Sequence, residues 1–301
     1  MTSNELDRYC GCLLGLAVGD AVGAAVEFQP RGTFPLVTDM QGGGVFRLKP
    51  GQWTDDTSMG LCLATSLVEK NGFDALDQMQ RYLRWYDEGY LSSTGQCFDI
   101  GSATRQALNR FRATGEPISG STNPLSAGNG PLMRLAPVAM FYAPNQSLAS
   151  EYAGKSSRTT HAAAECVQSC MLFAGMLVKA LGGQNKTDIL FKNSLTGLTT
   201  SRKIGAIARG EYKDKPVDQI KGSGYVVEAL EAALWCFWKT NTFAEAVLAA
   251  TNLGDDADTT AAICGQIAGA FYGQSGIPDS WLDKLYLRAE IIALAEKLAE
   301  H

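Results

Sequence analysis

Two acidic clusters about two hundred residues apart carry the residue types that could do chemistry: Thr54-Asp55-Asp56-Thr57 and Asp256-Ala257-Asp258-Thr259-Thr260. Each opens a stretch of helix-like composition, so carboxylate and hydroxyl oxygens project from a helix's first turn. Oxygen donors converging from two such turns suit hard divalent cations such as Mg²⁺ or Mn²⁺. Acidic residues also gather at helix starts because the macrodipole favours them there. Either cluster alone fits both readings. Asp55 and Asp56 are adjacent in one turn and diverge by about 100°, so they could serve two metals, or one metal and one water. Asp256-x-Asp258 has the spacing that brings carboxylates together on a turning backbone.

Other candidates lie between and before the clusters. Glu27 closes the apolar run Gly23-Ala24-Ala25-Val26 and is either solvent-facing or aimed into a site, and Asp20 poses the same question. Asp99 precedes a helix and could be its cap. Ser126-Ala127-Gly128-Asn129-Gly130 runs into a helix, and amides at such a start can cradle phosphate. It lacks the Lys-Ser/Thr of a P-loop. His161 follows Arg158-Thr159-Thr160 and reads as structural or as a hydrogen-bonder to ligand.

Scarcity excludes several classes. Only two histidines occur, His161 and His301, which removes multi-histidine zinc sites and HExxH proteases. No G-x-S-x-G elbow supports a serine hydrolase. The D-x-D-x-T at Asp256 resembles an aspartyl-phosphatase opening, but an Ala-rich helical stretch precedes it where a buried strand is needed.

The elements that must position these residues are helical. Periodicity predicts helices over 7–26, 55–70, 73–88, 101–113, 130–141, 147–156, 160–181, 224–240, 243–251, 258–272 and 280–300. Strand alternation is scarce, and no linker or repeat divides the chain. The expectation is one compact all-α domain over residues 1–301, with its loops gathered around a site. Gly11, Gly15, Gly19 and Gly23 form a bare stripe along one helix, and Ala261, Gly265 and Gly269 repeat it late in the chain. Interior glycine costs roughly 1 kcal/mol against alanine, so close helix approach is the expected return.

The 301 residues are 46% hydrophobic and 19% charged with a formal charge of −5, an ordinary globular balance without the basic block of a nucleic-acid surface. The apolar run Leu13–Val18 is short and flanked by Asp7, Asp20 and Glu27, so neither a signal peptide nor a membrane span is expected. The eight cysteines lie mostly within apolar helical stretches and without zinc-site spacing. They read as reduced buried thiols in a cytoplasmic compartment.

Taken in order, these motifs resemble the ADP-ribosylglycohydrolase family, especially the bacterial branch typified by dinitrogenase reductase-activating glycohydrolase. The segments carrying the likeness are Gly11 to Gly23, Gly51 to Thr57, Asp99-Ile100-Gly101, Gly128 to Pro137, Ser157 to His161, and Asp256 to Ile263 followed by Gln266 to Gly273. The resemblance implies an orthogonal helical bundle with a dinuclear Mg²⁺ or Mn²⁺ centre, its ligands matched to Thr54, Asp55, Asp56, Asp256, Asp258 and Thr259. Asp255 falls outside the match. Glu27 corresponds to a glutamate beside the metals, and Asp99 to an acidic residue near the scissile ribose. Gly101 and Ser102, with Ser126, Gly128, Asn129, Gly130 and His161, would bind ADP-ribose. Ser102 stands where many relatives have Asn, and Pro131 where a small residue is common.

The activity so implied is release of ADP-ribose from a modified protein, with arginine the expected acceptor and Glu27, Asp55, Asp56 and Asp99 the catalytic carboxylates. The expected partners are the modified protein and product ADP-ribose, without nucleic acid, and the chain is expected to act as a monomer. The rival readings are a metal-dependent phosphohydrolase acting on a nucleotide and an inactive ADP-ribose-binding relative.

Overall fold

The first helix sets the frame. In a computed structural model, which describes residues 2–193 and 201–301, α1 spans Ser3–Gly23 and starts earlier than its apolar pattern. The reason is a capping box: the Glu5 amide donates to Thr2 Oγ1 and the Thr2 amide to Glu5 Oε2. From Tyr9 onward every residue of α1 is buried.

Along the chain follow α2 (Asp55–Lys70), α3 (Ala75–Glu88), α4 (Ser102–Thr114), α5 (Gly130–Met133), α6 (Ala136–Tyr142), α7 (Gln146–Thr160) and α8 (Ala164–Leu181). Then come α9 (Lys186–Phe191), α10 (Arg202–Ala208), α11 (Val226–Lys239), α12 (Phe243–Thr251), α13 (Ala257–Tyr272), α14 (Asp279–Leu282) and α15 (Arg288–Ala299). Among the described residues β-structure is limited to isolated bridges. The all-α class holds.

α1's chief partner is α13, and the two glycine stripes meet. A Cβ built on Gly15 would lie 2.1 Å from the Gly265 carbonyl oxygen, and one on Gly11 2.4 Å from that of Gly269. In return, a Cβ on Gly265 would lie 2.0 Å from the Gly15 oxygen. Real Cβ atoms do not approach so closely, so the seam exists only because these positions lack side chains. Around it the main core draws on α1, α2, α6, α8, α11, α12, α13 and α15. A smaller cluster of Met59, Met79, Tyr82, Trp85, Leu108 and Phe111 ties α2 to α3 and α4. α1 and α8 are long and apolar enough to span a bilayer by length and composition, with mean hydropathy 1.7 and 1.4, yet both pack largely inside the protein. All eight cysteines are free, and seven are buried.

Three expected helices are interrupted. The stretch 160–181 breaks at His161, whose extended backbone (φ −137°) pairs with Ser121 while Ala162 donates to the Ser121 carbonyl. That partner lies forty residues away, so no local signal marks the break. The stretch 130–141 divides at Arg134, where Gln266 reaches in to accept from the Ala136 amide and donate to the Leu132 and Met133 carbonyls. The stretch 280–300 divides before Leu287, which adopts φ +50°. The short helices α9 and α10 have no counterpart among the expected elements.

A buried carboxylate centre and the pocket above it

The seam delivers the two acidic clusters to one place. α2 begins at Asp55 and α13 at Ala257, and the ends of both lie beside the C-terminal end of α1. Asp20, on the last turns of α1, joins α1 to α2. Its Oδ1 accepts from the amide and hydroxyl of Thr54, both at 2.9 Å, and its Oδ2 from the amide and hydroxyl of Thr57 at 2.9 and 2.6 Å. Thr54 occupies the N-cap position, but its side chain makes no capping bond. Asp20 satisfies the first turn of α2 from outside. Glu27 does the same for α13, its Oε2 accepting from the amides of Ala257 at 2.7 Å and Asp258 at 3.1 Å.

Asp55, Asp56 and Asp258 are buried with Thr54 and Thr259, and polar contacts cross between the clusters. Thr54 Oγ1 lies 3.2 Å from Asp258 Oδ2, and Thr259 Oγ1 lies 3.4 Å from Asp56 Oδ2. Asn129 donates to Asp256 Oδ2 at 2.9 Å. Among the described residues no Lys or Arg forms an ion pair with these carboxylates. Burial, with the neighbouring Asp258 second, raises the proton affinity of the carboxyls around it. Asp20 and Asp256 are pushed up to about 7 and Asp99 to about 11, while Glu27, Asp55 and Asp56 move strongly the same way.

Such a cluster calls for a positive counter-charge. Glu27, Asp256 and Asp258 each offer an oxygen within 4.8 Å of the others, and Asp56 Oδ1 is buried with no hydrogen-bond partner. The donors are all oxygen, which fits a hard cation rather than zinc.

Above the carboxylates lies a cavity of about 310 Å³, lined by Glu27, Asp55, Asp256, Asp258, Thr259, Asp99, Gly101, Ser102, Gly128, Asn129, Gly130 and His161. Of the sequence-derived candidates, Thr54 and Asp56 sit beneath the cavity wall. Ser126 lies outside it, in an adjoining groove it shares with Leu125 and Tyr225. Asp99 is not the cap of α4, a place taken by Gly101. It is half-buried at φ +59° and faces Asp258.

The Gly128–Gly130 loop also departs from expectation. The Gly128 amide donates to the Ser126 carbonyl and the Asn129 amide to that of Gly224, so two of the amides are already committed. The glycines serve chiefly by lacking side chains, because a Cβ on Gly130 would lie 2.8 Å from His161 Cε1.

Sequence reasoning missed Phe28, Thr104, Met133 and Gly224 as lining residues. Gly224 sits in a loop before α11 rather than within the expected helix, and a Cβ there would approach Asp256 Oδ2 to 3.2 Å. Phe28 is 62% exposed with φ +62°, held by the hydrogen bond its amide donates to the Asp255 carbonyl. A bulky residue in that conformation had no sequence signal.

An all-helical frame in which α1 gathers the aspartate-bearing starts of α2 and α13 under one cavity narrows the class of protein, and comparisons specify which. The model of the ADP-ribosylglycohydrolase family matches residues 1–301, and the chain belongs to that family. It is 45% identical over 298 residues to the ADP-ribosylarginine hydrolase Tri1 of Serratia proteamaculans (strain 568), covering 98% of this chain and 80% of that one. The ADP-ribosyl-[dinitrogen reductase] glycohydrolase of Rhodospirillum rubrum is 33% identical, with 94% and 92% covered. A solved structure described as an ADP-ribosylglycohydrolase-related protein complex superposes with a TM-score of 0.89 at 45% identity, covering 99% of both chains.

Proposed function

We propose that the protein hydrolyses the N-glycosidic bond between ADP-ribose and a modified arginine side chain, releasing ADP-ribose and the restored protein. The observation supporting this most directly is the convergence of buried Asp55, Asp56 and Asp258 with half-buried Asp256, with no Lys or Arg paired to them among the described residues, beneath a cavity large enough for a ribose and its phosphates. The relatives named as ADP-ribosylarginine hydrolases favour arginine as acceptor.

In this reading Thr54, Asp55, Asp56, Asp256, Asp258 and Thr259 hold two Mg²⁺ or Mn²⁺ ions, with Glu27 beside them. The ions supply Lewis acidity and a template for the ribose hydroxyls. The chain's own groups do the rest. Asp55 faces the cavity while Asp56 lies below, so Asp55, or the Glu27 oxygen not tied to α13, orients the attacking water at the anomeric carbon. Asp99 lines the cavity and can pass a proton to the departing guanidine nitrogen. Gly101, Ser102, Gly128, Asn129, Gly130 and His161 surround the ribose and diphosphate, with Ser126 reached only where a ligand extends into the adjoining groove. The free thiols suit a reducing cytoplasm.

The test is a panel of arginine-, serine- and nucleobase-linked ADP-ribose incubated with Mg²⁺ or Mn²⁺, reading free ADP-ribose against inorganic phosphate. Release of ADP-ribose from the arginine conjugate is expected. Phosphate without ADP-ribose would overturn the reading in favour of a phosphohydrolase, and no turnover of any conjugate would favour a binding protein.

A further inference from the structure

Behind the cavity wall lies a charge that the proposed reaction does not use. Arg134 is only 1% exposed, and among the described residues no carboxylate lies within ion-pair distance of it. Its guanidinium sits 4.7 Å from the centre of the Tyr82 ring, 3.5 Å from Met59 Sδ and 2.6 Å from Thr160 Oγ1. Thr160 Oγ1 lies in turn 2.8 Å from His161 Nδ1. The opposite edge of the imidazole rests against Gly128 and Gly130 at the cavity.

Proton accounting along this row has one complete solution. A guanidinium only donates, so Thr160 Oγ1 accepts from Arg134. The hydroxyl's single hydrogen then has His161 Nδ1 as its acceptor. Nδ1 is therefore unprotonated, and a neutral imidazole carries its proton on Nε2. The other tautomer would leave the Thr160 hydroxyl hydrogen facing two donors in a buried site, a loss of roughly 1–3 kcal/mol. Protonating both nitrogens is opposed by burial and by the Arg134 charge, which hold His161 down to about 3.

We infer that Arg134 is a positioning residue: acting through Thr160, it locks His161 as the Nε2–H tautomer, so that the cavity receives one neutral hydrogen-bond donor. His161 is thereby unable to serve as a general base. It suits the acceptor oxygens of a phosphate or ribose, and that assignment of the donor's target rests on the function proposed above. The tautomer itself does not.

Two histidines make the test direct. In the full chain with ¹⁵N-labelled histidine, long-range proton–nitrogen correlation should show His161 with a protonated Nε2 and an unprotonated Nδ1, unchanged between about pH 5 and 8. A protonated Nδ1, or titration of His161 in that range, would overturn the inference without any substitution. Thr160→Val should then admit the Nδ1–H tautomer alongside Nε2–H and weaken ADP-ribose binding by calorimetry about tenfold, whereas Thr160→Ser should restore the single Nε2–H form and the affinity. A Thr160→Val protein that folds, by circular dichroism, and keeps the parent tautomer and affinity would also overturn it. If the unaltered protein shows the Nε2–H form yet neither binds ADP-ribose nor hydrolyses its arginine conjugate, the proposed function fails while the relay stands.

Discussion

Replacing Gly15 by alanine tests the seam, because two effects of known sign compete there. Helix propensity alone predicts stabilisation by about 1 kcal/mol. Against it, the new methyl would sit 2.1 Å from the Gly265 oxygen, so α1 and α13 must part by about 1 Å to reach van der Waals contact. Overpacking costs about 1–3 kcal/mol, and with main chain on the receiving side no rotamer can yield, which puts Gly15→Ala near the upper end. The expected net loss is about 2 kcal/mol, which for a chain of this length is a fall of about 3 °C in Tm. Gly205→Ala supplies the control. It lies inside α10, where the nearest atom to a Cβ is the flexible end of Arg209 at 3.0 Å, so propensity should win and Tm should rise by about 1–2 °C. Differential scanning calorimetry of both variants decides. If Gly15→Ala raises Tm as Gly205→Ala does, the claim that bare backbone contact holds the seam is wrong.

Three further outcomes follow from the carboxylate centre. The metal-free protein should lose stability as pH rises. Asp20 and Asp256 are raised to about 7, so the folded state binds more protons than the unfolded one. Their contribution is present below about pH 4 and lost as pH climbs through about 7. Mg²⁺ or Mn²⁺ at a hundredfold excess over Kd should return about 2.7 kcal/mol, and thermal shifts should show a larger gain at pH 8 than at pH 5. Asp56→Asn should lower kcat by at least about a hundredfold yet raise Tm in chelator at pH 8, since it removes a buried carboxyl whose ionisation burial and its neighbours oppose. A variant that loses stability along with activity would contradict that account. Asp255→Gly should gain about 0.5–1 kcal/mol by relieving φ +59° while leaving kcat within about twofold, because only its main chain touches Phe28 and Gln29.

Local chemistry was readable in the sequence; contacts made at long range were not. The aspartates at 55, 56, 256 and 258 stand out because their pairing is written along one turn of chain. The glycine stripes do so because four-residue spacing marks one helix face. Asp20 was only an open question, since its four donors sit more than thirty residues on, at Thr54 and Thr57. The break at His161 depends on Ser121, and nothing in Thr159-Thr160-His161-Ala162 forbids a helix. Arg134 looks like an ordinary helical arginine until Met59, Tyr82 and Thr160 close over it. Ser126 was assigned to the cavity from its neighbours in sequence, and the turn it makes with Asn123 carries it into the groove next door.

The pairing of α1 with α13 also bears on how the chain is made. The two helices are about 230 residues apart. At a synthesis rate of about 5–20 residues per second, α1 waits roughly 10–50 seconds for its partner. Throughout that interval a helix with the length and hydropathy of a membrane span has no completed surface to cover its glycine face. A chaperone, or prompt burial against α2 and α6, must shield it, and slowing translation late in the message would lengthen the exposure.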